Sequence, residues 1–144
     1  MITQIQRSVL LPYPVSQVFE LVADVGEYCN FVPYCKSSRI VAKTGNDLTA
    51  SLEIQYTGIH QEIVTKNRCD PYSSIQIHLV KGPFNSFQGE WTFNDLVEGC
   101  RTNLSLEFEL KGRFVQTLSE LKSTGIVNEV LDAFALRART QAIK

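Results

Sequence analysis

The residues best equipped for chemistry are few. His60 and His78 are the only imidazoles in the chain. An imidazole titrates near neutral pH and can serve as a general base or a metal ligand. Each sits at a strand position opposite the apolar residues of its own segment, so both are expected to face solvent. A zinc site would need further ligands in register, and no Cys/His spacing supplies them, so no metal ligand is expected. The four cysteines, Cys29, Cys35, Cys69 and Cys100, include no Cys-x-x-Cys pair. Burial as small apolar side chains accounts for them. Cys29 and Cys35 are near enough in sequence for redox chemistry, which a reducing compartment would suppress. Glu107 and Glu109 are paired carboxylates, yet alternate residues on the polar side of one strand read as a solvated face. Glu53, Glu62 and Glu90 read alike, with Lys66 or Arg68 available as hairpin partners. No glycine-rich phosphate loop is present. No catalytic residue is expected, and the inner side of the sheet offers only Tyr56 as an acid–base group.

Charge narrows the partners. The formal net charge is -1, so no global field draws the chain to DNA or other nucleic acid. Hydrophobic residues make up 44% of the 144 residues. That suffices for the core of one domain, residues 1–144. Residues 1–11 interleave Gln, Arg and Ser with apolar side chains, unlike a signal or transit peptide. No apolar run approaches the ~20 residues of a membrane-spanning helix. The expected location is the cytoplasm, with peripheral contact at the inner membrane as its extension.

These side chains must be positioned by strands. Residues 3–11 alternate, with Ile5, Val9 and Leu11 facing one way and Arg7 as the exception on that side. Pro12 and Pro14 end the strand. Val15, Val18, Phe19 and Val22 give a short amphipathic helix. Asp24 is placed to cap a second one through Val25 and Tyr28, and Pro33 stops it. The period then becomes two. Residues 37–43 form a strand and Gly45-Asn46-Asp47 a turn. Leu48, Ala50, Leu52, Ile54 and Tyr56 then alternate with polar partners, and Thr57-Gly58 suits a tight hairpin. Further strands carry Ile59 and Ile63, then Ile75, Ile77 and Leu79. The last two carry Phe87, Trp91 and Phe93, and Leu104, Leu106, Phe108 and Leu110. Six of the seven strands are consecutive with short turns, which predicts an antiparallel meander. Residues 115–142 carry a helical stripe of Val127, Val130, Leu131, Phe134 and Ala138. Ser123-Thr124-Gly125, all weak helix formers, predict a bend upstream of it. The class is α+β, with a curved sheet around that helix. Leu52, Ile54, Ile77, Trp91, Leu106 and Phe134 are expected in one core.

The aromatic row Phe87, Trp91 and Phe93 has two readings, core packing and cavity wall. A curved sheet closed by one bent helix can leave an apolar pocket. Gly89 and Gly125 remove side chains where aromatics would otherwise meet. The bulky loop 31–34 is a lid on the core or a mouth that meets membrane or partner. Arg137, Arg139 and Lys144 suit the C-terminal dipole of the helix. With Lys66, Arg68 and Lys81 the two arginines would form a basic contact patch if they cluster.

Particular residues then resemble a known family. Asp24-Val25, Tyr28, Phe31 and Pro33-Tyr34-Cys35 resemble one segment of the coenzyme-Q-binding branch of the START-like superfamily. Gly82-Pro83-Phe84 with Gly89, Trp91 and Phe93 resembles another, and Phe134 with Arg137-Ala138-Arg139 resembles its helix ending. The resemblance spans essentially the whole chain. It implies the helix-grip fold of lipid carriers and polyketide cyclases. It also implies non-catalytic binding of a hydrophobic ligand, ubiquinone or a related isoprenoid, in support of respiration. The ligand cavity would draw on Phe31, Tyr34, Tyr56, Phe87, Trp91, Phe93, Val130 and Phe134. Bacterial members are also named ribosome-association toxins, so the large ribosomal subunit is the alternative partner. A cyclase or aromatase is the third reading.

Overall fold

The computed structural model describes residues 2–56, 59–112 and 125–143. The chain enters as β1 (Thr3–Leu11), which the two prolines terminate. Helix α1 (Val15–Ala23) follows and buries Val18, Phe19, Leu21 and Val22. A 3-10 helix spans Val25–Asn30. Asp24 stands at its N-cap, but its side chain caps nothing; its carbonyl accepts from the Glu27 amide at 3.1 Å.

Six strands come next: β2 (Cys35–Thr44), β3 (Asp47–Tyr56), β4 (Ile59–Asp70), β5 (Ser74–Lys81), β6 (Phe84–Leu96) and β7 (Gly99–Leu110). They pair antiparallel as a meander, and β1 closes onto β7, giving the order β1-β7-β6-β5-β4-β3-β2. Helix α2 (Ile126–Ile143) is the last element. This curved sheet with a C-terminal helix and short N-terminal helices is the helix-grip arrangement. Gly125, just before α2, has φ 68°, a left-handed conformation that glycine tolerates. The rest of the expected bend, the helix upstream of it, the Thr57-Gly58 turn and Lys144 lie outside the described residues.

One glycine is required by close approach. A Cβ on Gly99 would lie 2.2 Å from the Leu11 carbonyl oxygen, where β7 starts against the end of β1.

The inner face carries the core. Phe134 is its centre, with Trp91, Phe31 and Tyr28 packed edge-on at 5.2, 5.1 and 5.2 Å. Such geometry suits the quadrupoles of the rings. Phe93 meets Phe19 of α1 at 5.4 Å. Gln17 of α1 donates to the Ala138 carbonyl at 3.2 Å, tying the two helices together. Arg7, the polar exception on β1, donates through Nε to Asn128 Oδ1 of α2 at 3.1 Å. The sequence flaw is thus a link between edge strand and helix.

The expected single core divides. Trp91 and Phe134 belong to the main cluster, with Ile77 and Leu106 packed against it. Leu52 joins a smaller cluster with Val25, Leu48 and Ala50. Ile54 borders an unfilled space instead.

Candidate functional site

That space is an apolar hollow of about 210 Å³ at the α2 N-terminal end of the inner face. β6 and β7 supply Phe84, Phe87, Leu106, Phe108 and Leu110. β3 and β4 supply Ile54, Tyr56, Gln61 and Ile63. Ile5, Pro83 and Val127 complete the described wall. Among the described residues no polar atom lines it, so Tyr56 and Gln61 contribute carbon only. Phe84, Phe87 and Phe108 form a second aromatic group, with ring centroids 5.0 to 6.3 Å apart. Alternation places these residues inward for the same reason as the core residues. Among the described residues the difference is cover, because α1 packs over the other end of the sheet.

The eight candidate cavity residues therefore separate. Tyr56 and Phe87 line the hollow. Trp91, Phe93 and Phe134 are buried in the main cluster, with Phe31 and Val130 against it. Val127, one turn before Val130, is the helix residue at the wall. Tyr34 stands beside the hollow, its ring 5.1 Å from that of Tyr56. Its hydroxyl donates to Glu129 Oε2 at 2.6 Å, and that bond holds the phenol above its ordinary pKa. The gap foreseen at Gly89 is occupied: a Cβ there would meet Leu106 Cδ2 at 2.8 Å and Ile77 Cδ1 at 3.6 Å. Phe84, Phe108 and Leu110 were not singled out by sequence reasoning. Phe108 and Leu110 carried only inward parity, which core residues share, and Phe84 entered only through the Gly82-Pro83-Phe84 resemblance.

The titratable groups take other places. His60 and His78 are both on the outer face, exposed. His60 contacts Glu53, and this contact, ahead of the Ser37 hydroxyl, lowers the Glu53 carboxyl. Glu62 is lowered by Ser51, which donates to it at 2.7 Å, and then by Lys81 at 3.1 Å. These partners replace the expected Lys66 and Arg68. Among the described residues no group of three His, Cys, Asp or Glu could hold a metal ion. All four thiols are free, with Cys35 and Cys100 buried and Cys29 and Cys69 half-buried. Burial pushes the Cys35 thiol up to about 11 and raises Cys69 and Cys100 as well. Nucleophilic thiolate is thereby suppressed at these three sites.

The five candidate cations lie on two sides of the sheet. Lys66, Arg68 and Lys81 project from its outer face, while Arg137 and Arg139 ride on α2. Arg68 pairs with Asp47 at 3.7 Å and Lys81 with Glu62. Arg137 pairs with Glu27 at 3.6 Å and lies 5.2 Å over the Phe31 ring. Among the described residues, no helix is long and apolar enough to cross a membrane.

Known proteins resemble this chain in sequence or in fold. The chain is 36% identical over 140 residues to the ribosome association toxin RatA of Pseudomonas aeruginosa, covering 96% of this chain and 97% of that one. It is 26% identical over 143 residues to the mitochondrial coenzyme Q-binding protein coq10 of Schizosaccharomyces pombe, covering 93% and 85%. Among solved structures, the Zhui aromatase/cyclase from a Streptomyces species superposes with a TM-score of 0.86 at 17% identity, over 99% and 96% of the two chains. A START superfamily protein from Mycobacterium smegmatis gives 0.79 at 16%, over 96% and 98%. These two likenesses carry the fold alone. A family model matches residues 11–135, and the chain belongs to that family, described as polyketide cyclase / dehydrase and lipid transport.

Proposed function

We propose that this protein binds an apolar molecule in the hollow without transforming it, and that the ligand is an isoprenoid quinone such as ubiquinone. The observation that carries this reading is the wall that the described residues build from carbon alone. An apolar cavity of ~150 Å³ stays dry and accepts a benzene-sized molecule, so about 210 Å³ suits part of a prenyl chain. Each Å² of apolar surface removed from water contributes ~25 cal/mol, so affinity needs no polar anchor. The coenzyme Q-binding relative supports the ligand class. Two observations favour binding over cyclase chemistry: the Tyr56 hydroxyl is absent from the wall, and both histidines are on the outer face. The protein would work in the cytoplasm and draw its ligand from the inner membrane by peripheral contact.

Association with the large ribosomal subunit is the second reading, favoured by the relative at 36% identity. Its contact would use phosphate-binding cations and weaken steeply with salt. Of the candidates, Lys66 and Arg139 have no ion-pair partner among the described residues.

Lipid extraction from natively purified protein tests the first reading. The expected result is quinone in the wild type and at least about tenfold less in Val127→Trp, a variant that fills the wall. Wild-type quinone content in Val127→Trp that still melts cooperatively would put the ligand elsewhere. Co-sedimentation with isolated large subunits at two salt concentrations tests the second, and no pelleting at low salt would remove it.

A further inference from the structure

Loop 31–34 is held at its two ends in different ways. Phe31 is locked into the core by Phe134 at 5.1 Å and Tyr28 at 5.9 Å, with Arg137 across its outer side. Tyr34 has φ 69°, the left-handed region that bulky side chains rarely adopt. It is held there by its carbonyl, which accepts from the Gln55 amide at 2.9 Å, by its ring against Tyr56, and by the exposed hydrogen bond from its hydroxyl to Glu129 at 2.6 Å. Tyr56 is wall, and Glu129 stands two residues after the wall residue Val127. One exposed hydrogen bond thus ties a strained loop end to the first turn of α2, beside the hollow.

We propose that Tyr34 and Glu129 form a gate at the hollow, opening by rupture of their hydrogen bond to admit and release an apolar ligand. This rests on the reading of the hollow as the ligand site. Rupture exchanges an exposed bond for bonds to water, so its net cost is small. With the Gln55 amide still holding the Tyr34 carbonyl, rotation of the freed side chain would carry its ring off Tyr56. Phe31 would stay in place and act as the hinge anchor. The gate sets how fast a ligand crosses the mouth. It leaves affinity to the carbon wall, which neither gate residue supplies.

Stopped-flow fluorescence with the neutral apolar probe N-phenyl-1-naphthylamine tests this on the full chain. Tyr34→Phe removes only the hydroxyl and keeps the ring. Association and dissociation rates should both rise, by about two- to tenfold, the range one net hydrogen bond contributes to an open population. Affinity should change by less than about twofold. Glu129→Gln should move both rates the same way but less. Unchanged rates in Tyr34→Phe would overturn the gate, as would faster dissociation alone, which makes Tyr34 an ordinary contact. Val127→Trp separates the two ideas. If it abolishes uptake while Tyr34→Phe leaves the rates unchanged, the hollow stands and the gate falls. If it binds the probe like wild type, or wild type takes up none, the site and its gate fall together.

Discussion

The two ends of the inner face are built from the same kinds of residue and finish differently. At one end Trp91, Phe93, Leu131 and Phe134 pack into a closed cluster under α1 and α2. At the other, Phe84, Phe87, Phe108 and Leu110 meet around a hollow. Both ends follow the same alternation on the same strands. Composition therefore cannot tell a core from a cavity; the position of a nine-residue helix can. Where α1 covers the sheet, the aromatics find partners on every side.

Truncation at matched positions should give the largest contrast. Phe134→Ala removes the ring on which three aromatics converge and should cost ~3–5 kcal/mol in denaturant unfolding. Phe87→Ala removes a half-buried ring that already borders empty space and should cost only ~1–2 kcal/mol, the transfer free energy of its buried part. Equal costs would mean that the hollow is filled in solution.

A smaller effect is expected at Gly89, which lies between the two ends. An added methyl would press on Leu106 Cδ2, the tip of a side chain that also lines the hollow. Leu106 can turn into that space, so Gly89→Ala should cost less than ~1 kcal/mol while reducing uptake of an apolar probe. A cost of ~3 kcal/mol would show that Leu106 has nowhere to go.

The smallest effect concerns the border. Cys35 pairs in register with the wall residue Ile54, and burial holds its thiol up to about 11. The unfolded thiol ionises near ~8.5. Below that value both states are neutral and this contribution to stability is whole. As pH rises through the window up to about 11 the unfolded chain loses its proton first, so stability falls. Cys35→Ala should flatten that part of an alkaline melting series. An unchanged slope would mean that water reaches the thiol in the native state.

The sheet was legible because a period of two is a local signal. It gave the six-strand meander, the outward histidines and the inward set on each strand. It could not reveal that β1 closes onto β7, nor that Arg7 finds Asn128 on α2, since these partners lie about ninety or more residues apart. The site was half legible. Tyr56 and Phe87 could be named from parity and aromatic character. Phe108 has the same credentials as Trp91, and Leu110 shares its parity, so only the placement of the helices separates them. Gly89 misled because a missing side chain looks like space until a neighbour's reach is known.

The closure of β1 onto β7 also sets an order of events during synthesis. Thr3 pairs with Phe108, about a hundred residues later. A chain elongating at ~5–20 residues per second exposes β1 for roughly 5 to 20 s before its partner exists. The meander can zip strand by strand in that interval, each hairpin closing a short loop. The edge provided by β7 comes last, and only then can the waiting strand dock. Completion of the sheet is therefore the high-contact-order step, the slow one by loop-closure entropy. Folding of this chain should be limited by how long β1 can remain single and uncommitted, a demand that its interleaved Gln and Arg residues help to meet.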